Sequence, residues 1–321
     1  MFLPELKSKP EEDISILLKL DNHSSSYLCE CGDASDLMVK DCQDIDALFI
    51  SHTHIDHFIN FDQLLRHQIG LQKRVIVCGP EGIMDRVQSK IQGYSWNLIE
   101  AGAIIYEIRE IIQKNHINRY VLEPPNWELK ALGRMNEEYL FDNDRFHVQF
   151  AILDHKIPSI AYLFKEKDTI KIDLSQSSYR GGPWINSLKQ AFKNNKADAA
   201  ITIESQIFQA KQLFHLLHIK KGDSLGVIMD HAANPSNHEK IKHLFYNCNK
   251  VFIESFYKEA DKELATLNFH SFSKESGRIM HESAVKEAIP VHFSRKYKAD
   301  ERQELIEEFK AAFSAVKRTE T

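Results

Sequence analysis

The stretch Ser51-His52-Thr53-His54-Ile55-Asp56-His57 places three imidazoles and one carboxylate within the six positions from His52 to His57. Imidazole nitrogens and carboxylate oxygens are ligands for divalent cations, and a cluster this dense has donors enough for two of them. An isolated histidine is usually a surface or capping residue. That assignment is given to His23, His67, His116, His147, His215, His218, His231, His238, His243 and His281. Three imidazoles in six positions beside an apolar strand point to ligation instead.

Four apolar runs each lead straight into a metal-binding residue type. ALFIS ends at His52, FAILD at His155, GVIM at Asp230, and the run Ile289 to Val291 at His292. Strand ends hold side chains on rigid backbone and bring residues distant in sequence to one point. The expected chemistry is metal-assisted hydrolysis, because two cations roughly 3.5 to 4 Å apart activate water and clamp the oxygens of a phosphate.

The elements that must position these residues can be read from apolar periodicity. Buried strands are expected at Ile14 to Leu20, Ser26 to Cys29, Ala47 to Ile50, Val75 to Cys78, Val148 to Leu153, Ser159 to Phe164, Leu225 to Met229 and Val251 to Ile253. Helical spacing recurs at Phe58 to Ile69, followed by Gly70, and at Ile83 to Gln92, His238 to Tyr246 and Ala299 to Lys317. Interleaved strands and helices predict a layered α/β architecture with helices covering sheets. A single domain over residues 1 to 321 is expected, with an arm-like excursion at about 165 to 220. Residues 93 to 147, with Pro124, Pro125 and Trp127, look like a second irregular insertion.

Composition narrows the function classes. With 321 residues, 43% apolar and 27% charged, the chain can bury one large core or two modest ones. No apolar run is long enough to span a bilayer, and the first twenty residues carry acidic side chains rather than a secretory pattern, so a cytoplasmic protein with no membrane partner is expected. Its five cysteines are expected to be reduced. A net charge of −5 provides no global field for nucleic acid. Between Lys165 and Lys196, however, seven basic residues face three acidic ones, a local excess of four positive charges. Together with Tyr179 and Trp184 this arm could hold an RNA backbone by phosphate contacts.

The motif Ser-His-Thr-His-Ile-Asp-His resembles the HxHxDH signature of the metallo-β-lactamase superfamily, and the order of later motifs resembles ribonuclease Z, which trims tRNA 3′ ends. Leu153-Asp154-His155-Lys156-Ile157-Pro158-Ser159 with Ala161-Tyr162 is similar to that family's LDHxIPSxGY stretch. Ile253-Glu254-Ser255-Phe256 is similar to its HEATF, Phe269-His270-Ser271 to its YHST, and His292-Phe293-Ser294 with Tyr297 to its HFSxRY. Near the N-terminus, Ser24-Ser25-Ser26-Tyr27-Leu28 and Glu30-Cys31-Gly32-Asp33 resemble its SSYLL and DCGEG. Gly182-Pro183-Trp184 with Leu188-Lys189 is similar to its substrate arm. The chain departs from the family in lacking the LGTG opening and the PxKxRN loop. It has Met229-Asp230-His231-Ala232 in place of GDTR, and Lys296 in place of an arginine.

By position, the resemblance implies a four-layer αββα sandwich with an inserted arm. It gives His52, His54 and His155 to one metal, Asp56, His57 and His292 to the other, and Asp230 as the bridge. The implied cofactor is two zinc ions per subunit, with manganese or another divalent metal as the alternative. Asp56 would orient the attacking water, and His270 held by Glu254 would protonate the leaving oxygen. Lys296, Arg180 and Lys189 are the expected substrate contacts, precursor tRNA or another RNA the partner, and a homodimer the assembly. Two other functions fit the same motifs: hydrolysis of a small-molecule ester such as a cyclic nucleotide, lactone or thioester, and a non-catalytic RNA-binding scaffold that retains metal.

Overall fold

The computed structural model describes all residues except 10, 34, 136, 137 and 315 to 321. The chain folds as two compact units, one formed by residues 1 to 165 with 224 to 321, the other by 166 to 223.

The larger unit contains two sheets. The first has eight strands in chain order: Phe2–Leu6, Ile16–Leu20, Ser26–Cys29, Ile45–Phe49, Arg74–Pro80, Ile105–Gln113, His116–Glu123 and Glu128–Met135. Its central pairings are parallel and its flanks antiparallel. The second sheet runs Glu287–Val291, Lys250–Glu254, Ser224–Ile228, Pro158–Glu166, Phe146–Asp154, Phe141–Asp142, and its first three strands are parallel.

The central strands are apolar on both faces because both faces are covered. In Ile45–Phe49 and the residue after it, Ala47 and Phe49 face the second sheet, while Leu48 and Ile50 face helices. Phe49 meets Phe164 edge-on at 4.9 Å and Tyr162 at 5.4 Å across the sandwich. Such fully buried aromatic rings each contribute about 1.5–3 kcal/mol. The buried Tyr162 hydroxyl donates to the Ile50 carbonyl at 2.7 Å, with the Cys78 carbonyl a more distant acceptor at 3.4 Å. Helices Val39–Asp44, Phe61–Gln68 and Ile83–Gln92 cover the outer face of the first sheet. Helices Pro235–Phe245, Ser273–Glu282 and Ala299–Ser314 cover that of the second. The result is a four-layer αββα sandwich.

Several elements differ from the sequence expectation. The expected helix Phe58 to Ile69 is two pieces, Ile55–Phe58 and Phe61–Gln68. Between them the Asn60 backbone N–H donates to Cys31 O and its side chain to Gly32 O, both outside the helix. Residues 93 to 147 are not an insertion. They supply three strands of the first sheet, and the turn at 124 to 127 buries Trp127 against Trp96 at 5.2 Å. The helix expected at His238 to Tyr246 begins earlier, at Pro235, where the Asn234 side chain accepts from the Asn237 N–H at 2.9 Å. The last three residues of the helix expected at Ala299 to Lys317 lie outside the described residues.

The smaller unit has two two-stranded sheets, Thr169–Ile172 with Leu217–Lys220 and Ala200–Ile203 with Gln206–Gln209, and the helix Trp184–Lys193. Trp184, Leu188, Ile201, Ile203, Leu213 and Leu216 form its own core. Among the described residues, no helix is long and apolar enough to cross a membrane.

Candidate metal centre

Strand Ile45–Phe49 delivers Ser51 and His52 to the edge of the sandwich. The loop is tied on both sides, with the Ser51 N–H donating to Glu30 Oε1 at 2.9 Å and its carbonyl accepting from the Ile160 N–H at 2.8 Å. Gly32 packs against the same loop so tightly that a Cβ there would collide with the Asp56 carbonyl oxygen. His155 follows Phe146–Asp154, Asp230 follows Ser224–Ile228, Glu254 ends Lys250–Glu254, and His292 follows Glu287–Val291 with a left-handed φ of 58°.

These strand ends converge on Asp230, which is 2% exposed. Its Oδ2 lies 3.6 Å from His52 Nε2 and 3.4 Å from His155 Nε2, and His54 Nδ1 is 2.9 Å from His52 Nε2. Its Oδ1 lies 3.5 Å from His57 Nε2 and 2.8 Å from His292 Nδ1, while Asp56 Oδ2 is 3.6 Å from His57 Nε2 and 3.4 Å from His292 Nε2. Each carboxylate oxygen therefore faces a different histidine group. Potential ligand atoms of His52, His54, His155 and Asp230 lie within 4.8 Å of one another, as do those of Asp56, His57 and His292.

This donor set fits a divalent cation. His57 Nε2, Asp230 Oδ1 and His292 Nδ1 are buried without a hydrogen bond, although the last two approach as an ion pair at 2.8 Å. Buried polar atoms aimed at one point and left unpaired carry a large desolvation cost that a cation removes. The opposite nitrogens are already engaged. His52 Nδ1 is 3.0 Å from Ser51 Oγ, His155 Nδ1 donates to Phe269 O at 2.7 Å, and His57 Nδ1 lies 3.1 Å from Glu30 Oε2. Such outer partners fix the tautomer and the ring direction of a ligating histidine.

Electrostatics agree with the geometry. Burial pushes the Asp230 carboxyl up, but the charges of His292 and His57 prevail and hold it well below the usual carboxylate range. Burial opposes a charged His292 ring, yet Asp230 beside it lifts its pKa to about 9. Burial likewise opposes a charged His57, and Asp230 and Glu30 raise it well above the ordinary value. At His52, burial with His57 alongside drives the pKa well down. Without a cation, protons thus collect on His57 and His292, and cation binding must release them.

Beside this cluster, Glu254 and His270 form a close pair between Oε1 and Nδ1. Glu254 is fully buried rather than a solvated strand-end carboxylate, and its Oε2 accepts the backbone N–H of His231 at 3.1 Å and of Ser271 at 3.3 Å. Burial would raise its pKa, as would the nearby Asp230 charge, but the charge on His270 and hydrogen bonds from the His270 and His231 side chains bring it to about 2. Burial disfavours a charged His270, and Glu254 outweighs that and raises it. Phe256 stacks on the His270 ring at 3.9 Å and fixes its plane.

Glu30 and His231 carry no functional assignment from the sequence, and both are fully buried here. Glu30 sits in the apolar run Tyr-Leu-Cys-Glu-Cys, where an unpaired carboxylate would be costly, and that is its signal. His231 and His238, assigned to the surface or to caps, are buried, with His231 Nδ1 3.3 Å from Glu254 Oε2. Lys296 Nζ is engaged by Asp261 Oδ1 at 2.9 Å. Arg180 and Lys189 belong to the 166–223 unit, where Trp184 is only 6% exposed and so offers no face for stacking a base.

No family model matches the chain. It is 24% identical to ribonuclease Z of Deinococcus radiodurans over 324 positions, covering 98% of this chain and 96% of that protein. It is also 24% identical to ribonuclease Z of Bacillus subtilis, covering 94% and 89%. Among solved structures, human tRNase Z, short form, superposes with a TM-score of 0.57 at 15% identity over 92% of this chain and 93% of that one. The metallo-β-lactamase-fold protein YhfI from Bacillus subtilis gives 0.57 at 14% identity over 96% and 88%. The chain has the metallo-β-lactamase fold, and its sequence resembles ribonuclease Z over nearly its whole length.

Proposed function

We propose that this chain is a metal-dependent phosphodiesterase acting as an endoribonuclease that removes 3′ trailers from precursor tRNA. The observation that carries the reading is Asp230, whose two oxygens face two separate histidine groups, with the Glu254–His270 pair alongside. In this proposal His52, His54 and His155 hold one cation, Asp56, His57 and His292 the other, and Asp230 lies between them. Two cations so held would activate water and neutralise charge on the phosphate. Zinc suits this imidazole and carboxylate set, and manganese or another divalent cation is the alternative.

The chain's own residues supply the rest. Asp56 accepts a hydrogen bond from the attacking water and aims it at phosphorus. Glu254 occupies His270 Nδ1 and keeps the ring charged, so His270 Nε2 is the nitrogen that hands a proton to the leaving 3′ oxygen. Arg180 and Lys189, in the basic 166–223 arm, would contact RNA phosphates, with Lys296, close to His292 in sequence, as a further contact. A homodimer in the cytoplasm belongs to the same proposal, and five buried cysteines, none of them in a disulfide among the described residues, suit a reducing compartment.

The test is cleavage of a 3′-extended precursor tRNA by zinc-loaded protein, with Asp56→Ala as control and bis-p-nitrophenyl phosphate as a generic diester. Metal-dependent cutting at the acceptor-stem end, lost in the variant and steeply weakened by salt, is expected. Diester hydrolysis with the tRNA untouched would move the substrate to a small-molecule ester; zinc binding without turnover on either would leave a scaffold.

A further inference from the structure

A cavity of about 560 Å³ opens beside the metal cluster. One wall carries His54, Ile55 and Ile59; the other is the helix Ile83–Gln92 with Asp85, Arg86 and Ser89. Its volume lies within the roughly 300–1,000 Å³ of small-ligand pockets. His54 belongs both to this wall and to the ligand group around Asp230, so the cavity begins where the cluster ends.

The lining chemistry selects its occupant. Ile55 is 74% exposed and Ile59 42%, so two aliphatic side chains face water inside a concave site. Opposite them, Arg86 donates to the Gly82 carbonyl at 2.9 Å and has no carboxylate partner among the described residues. Its planar guanidinium remains available for stacking and donation. Asp85 supplies acceptors, and the Ser89 hydroxyl both donates and accepts. Lys90, also at this wall, is neutralised by Asp62 at 3.0 Å, and Asp85 offsets Arg86. The cavity thus has no surplus positive charge to favour a bare phosphate. Apolar faces with donors and acceptors at the edge match a heterocyclic base.

We propose that this cavity is the subsite for the nucleoside attached to the cleaved phosphodiester, its base resting on Ile55 and Ile59 and its edge read by Asp85, Arg86 and Ser89. This rests on the phosphodiesterase reading above. A diester held at the cluster has one ester substituent at the cavity mouth, and a nucleoside fills the space that a phenyl group leaves partly empty. The subsite gives binding energy that is absent from the generic diester.

Ser89→Trp projects an indole into the cavity from an exposed helix position, and Arg86→Ala removes the planar donor without filling space. Kinetics are compared on the p-nitrophenyl esters of adenosine 3′-phosphate and 5′-phosphate and on bis-p-nitrophenyl phosphate. In Ser89→Trp the KM of a nucleoside ester is expected to rise about tenfold or more relative to that of bis-p-nitrophenyl phosphate, the scale of one lost base-stacking contact. Arg86→Ala should shift it in the same direction by less. The ester that responds identifies which side of the phosphate enters the cavity. Equal changes on all substrates, or none, overturn the subsite. Calorimetric titration of metal-loaded protein with adenosine 5′-monophosphate is the second readout: affinity falls about tenfold in Ser89→Trp with metal content preserved, and equal affinity in variant and wild type overturns the proposal. Wild-type protein that binds the nucleotide through the cavity but hydrolyses no ester sinks the phosphodiesterase reading and keeps the subsite. Ester hydrolysis that ignores Ser89→Trp does the reverse.

Discussion

The ligand cluster and the unit Glu166–Asp223 are built by opposite means. The cluster takes His52, His54, Asp56 and His57 from the end of one strand in the first sheet, and His155, Asp230 and His292 from the ends of three strands in the second. The strands pack into one sandwich, so side chains more than two hundred residues apart are held within a few ångströms. The smaller unit is a contiguous stretch that closes its own modest core around Trp184 and Leu188 and carries its charges outward. A reaction centre requires atoms fixed relative to one another, which demands a framework much larger than the site. An arm that binds a long polyanion by charge needs only a stable surface.

Three perturbations probe that contrast, in decreasing order of expected effect. His270→Ala should reduce turnover by about 10²–10⁴-fold with bound metal unchanged, measured by single-turnover cleavage alongside metal analysis. An empty metal site in that variant would make His270 a ligand, since its ring also lies within reach of Asp230 and Glu254. Glu30→Gln should weaken metal retention by about 10–100-fold, read by competition with a graded chelator, because it removes the charge that fixes His57 Nδ1. Metal affinity equal to wild type would show that the strand framework alone orients His57.

The mildest perturbation is Leu188→Ala, in the core of the smaller unit. It should destabilise that unit by about 2–5 kcal/mol and speed proteolysis within residues 166 to 223. Metal content and bis-p-nitrophenyl phosphate turnover should match wild type. A parallel fall in diester turnover would mean that the two regions are one cooperative structure.

Ligand chemistry and strand position were legible in the sequence because both are local properties. The apolar runs ending at His52, His155, Asp230 and His292 announce strands, and the side chain that follows each run announces its donor. The capping Asn234 and Pro235 likewise mark a helix start from neighbouring residues alone. What the residues could not declare locally were the partners brought from elsewhere in the chain. Glu30 meets His57 across 27 positions, and the Asn60 side chain reaches back 28 positions to Gly32, interrupting an apparently continuous helix. Residues 93 to 147 became strands of the first sheet because a neighbouring edge was there to pair with, despite their charged and proline-containing sequence. His231 is buried beside Glu254 on another strand, and Trp184 by later segments of its own unit, so neither could be assigned from its immediate neighbours. Side-chain chemistry and hydrophobic period are written residue by residue, whereas burial and second partners exist only once separate strands have met, and there the tertiary structure decided.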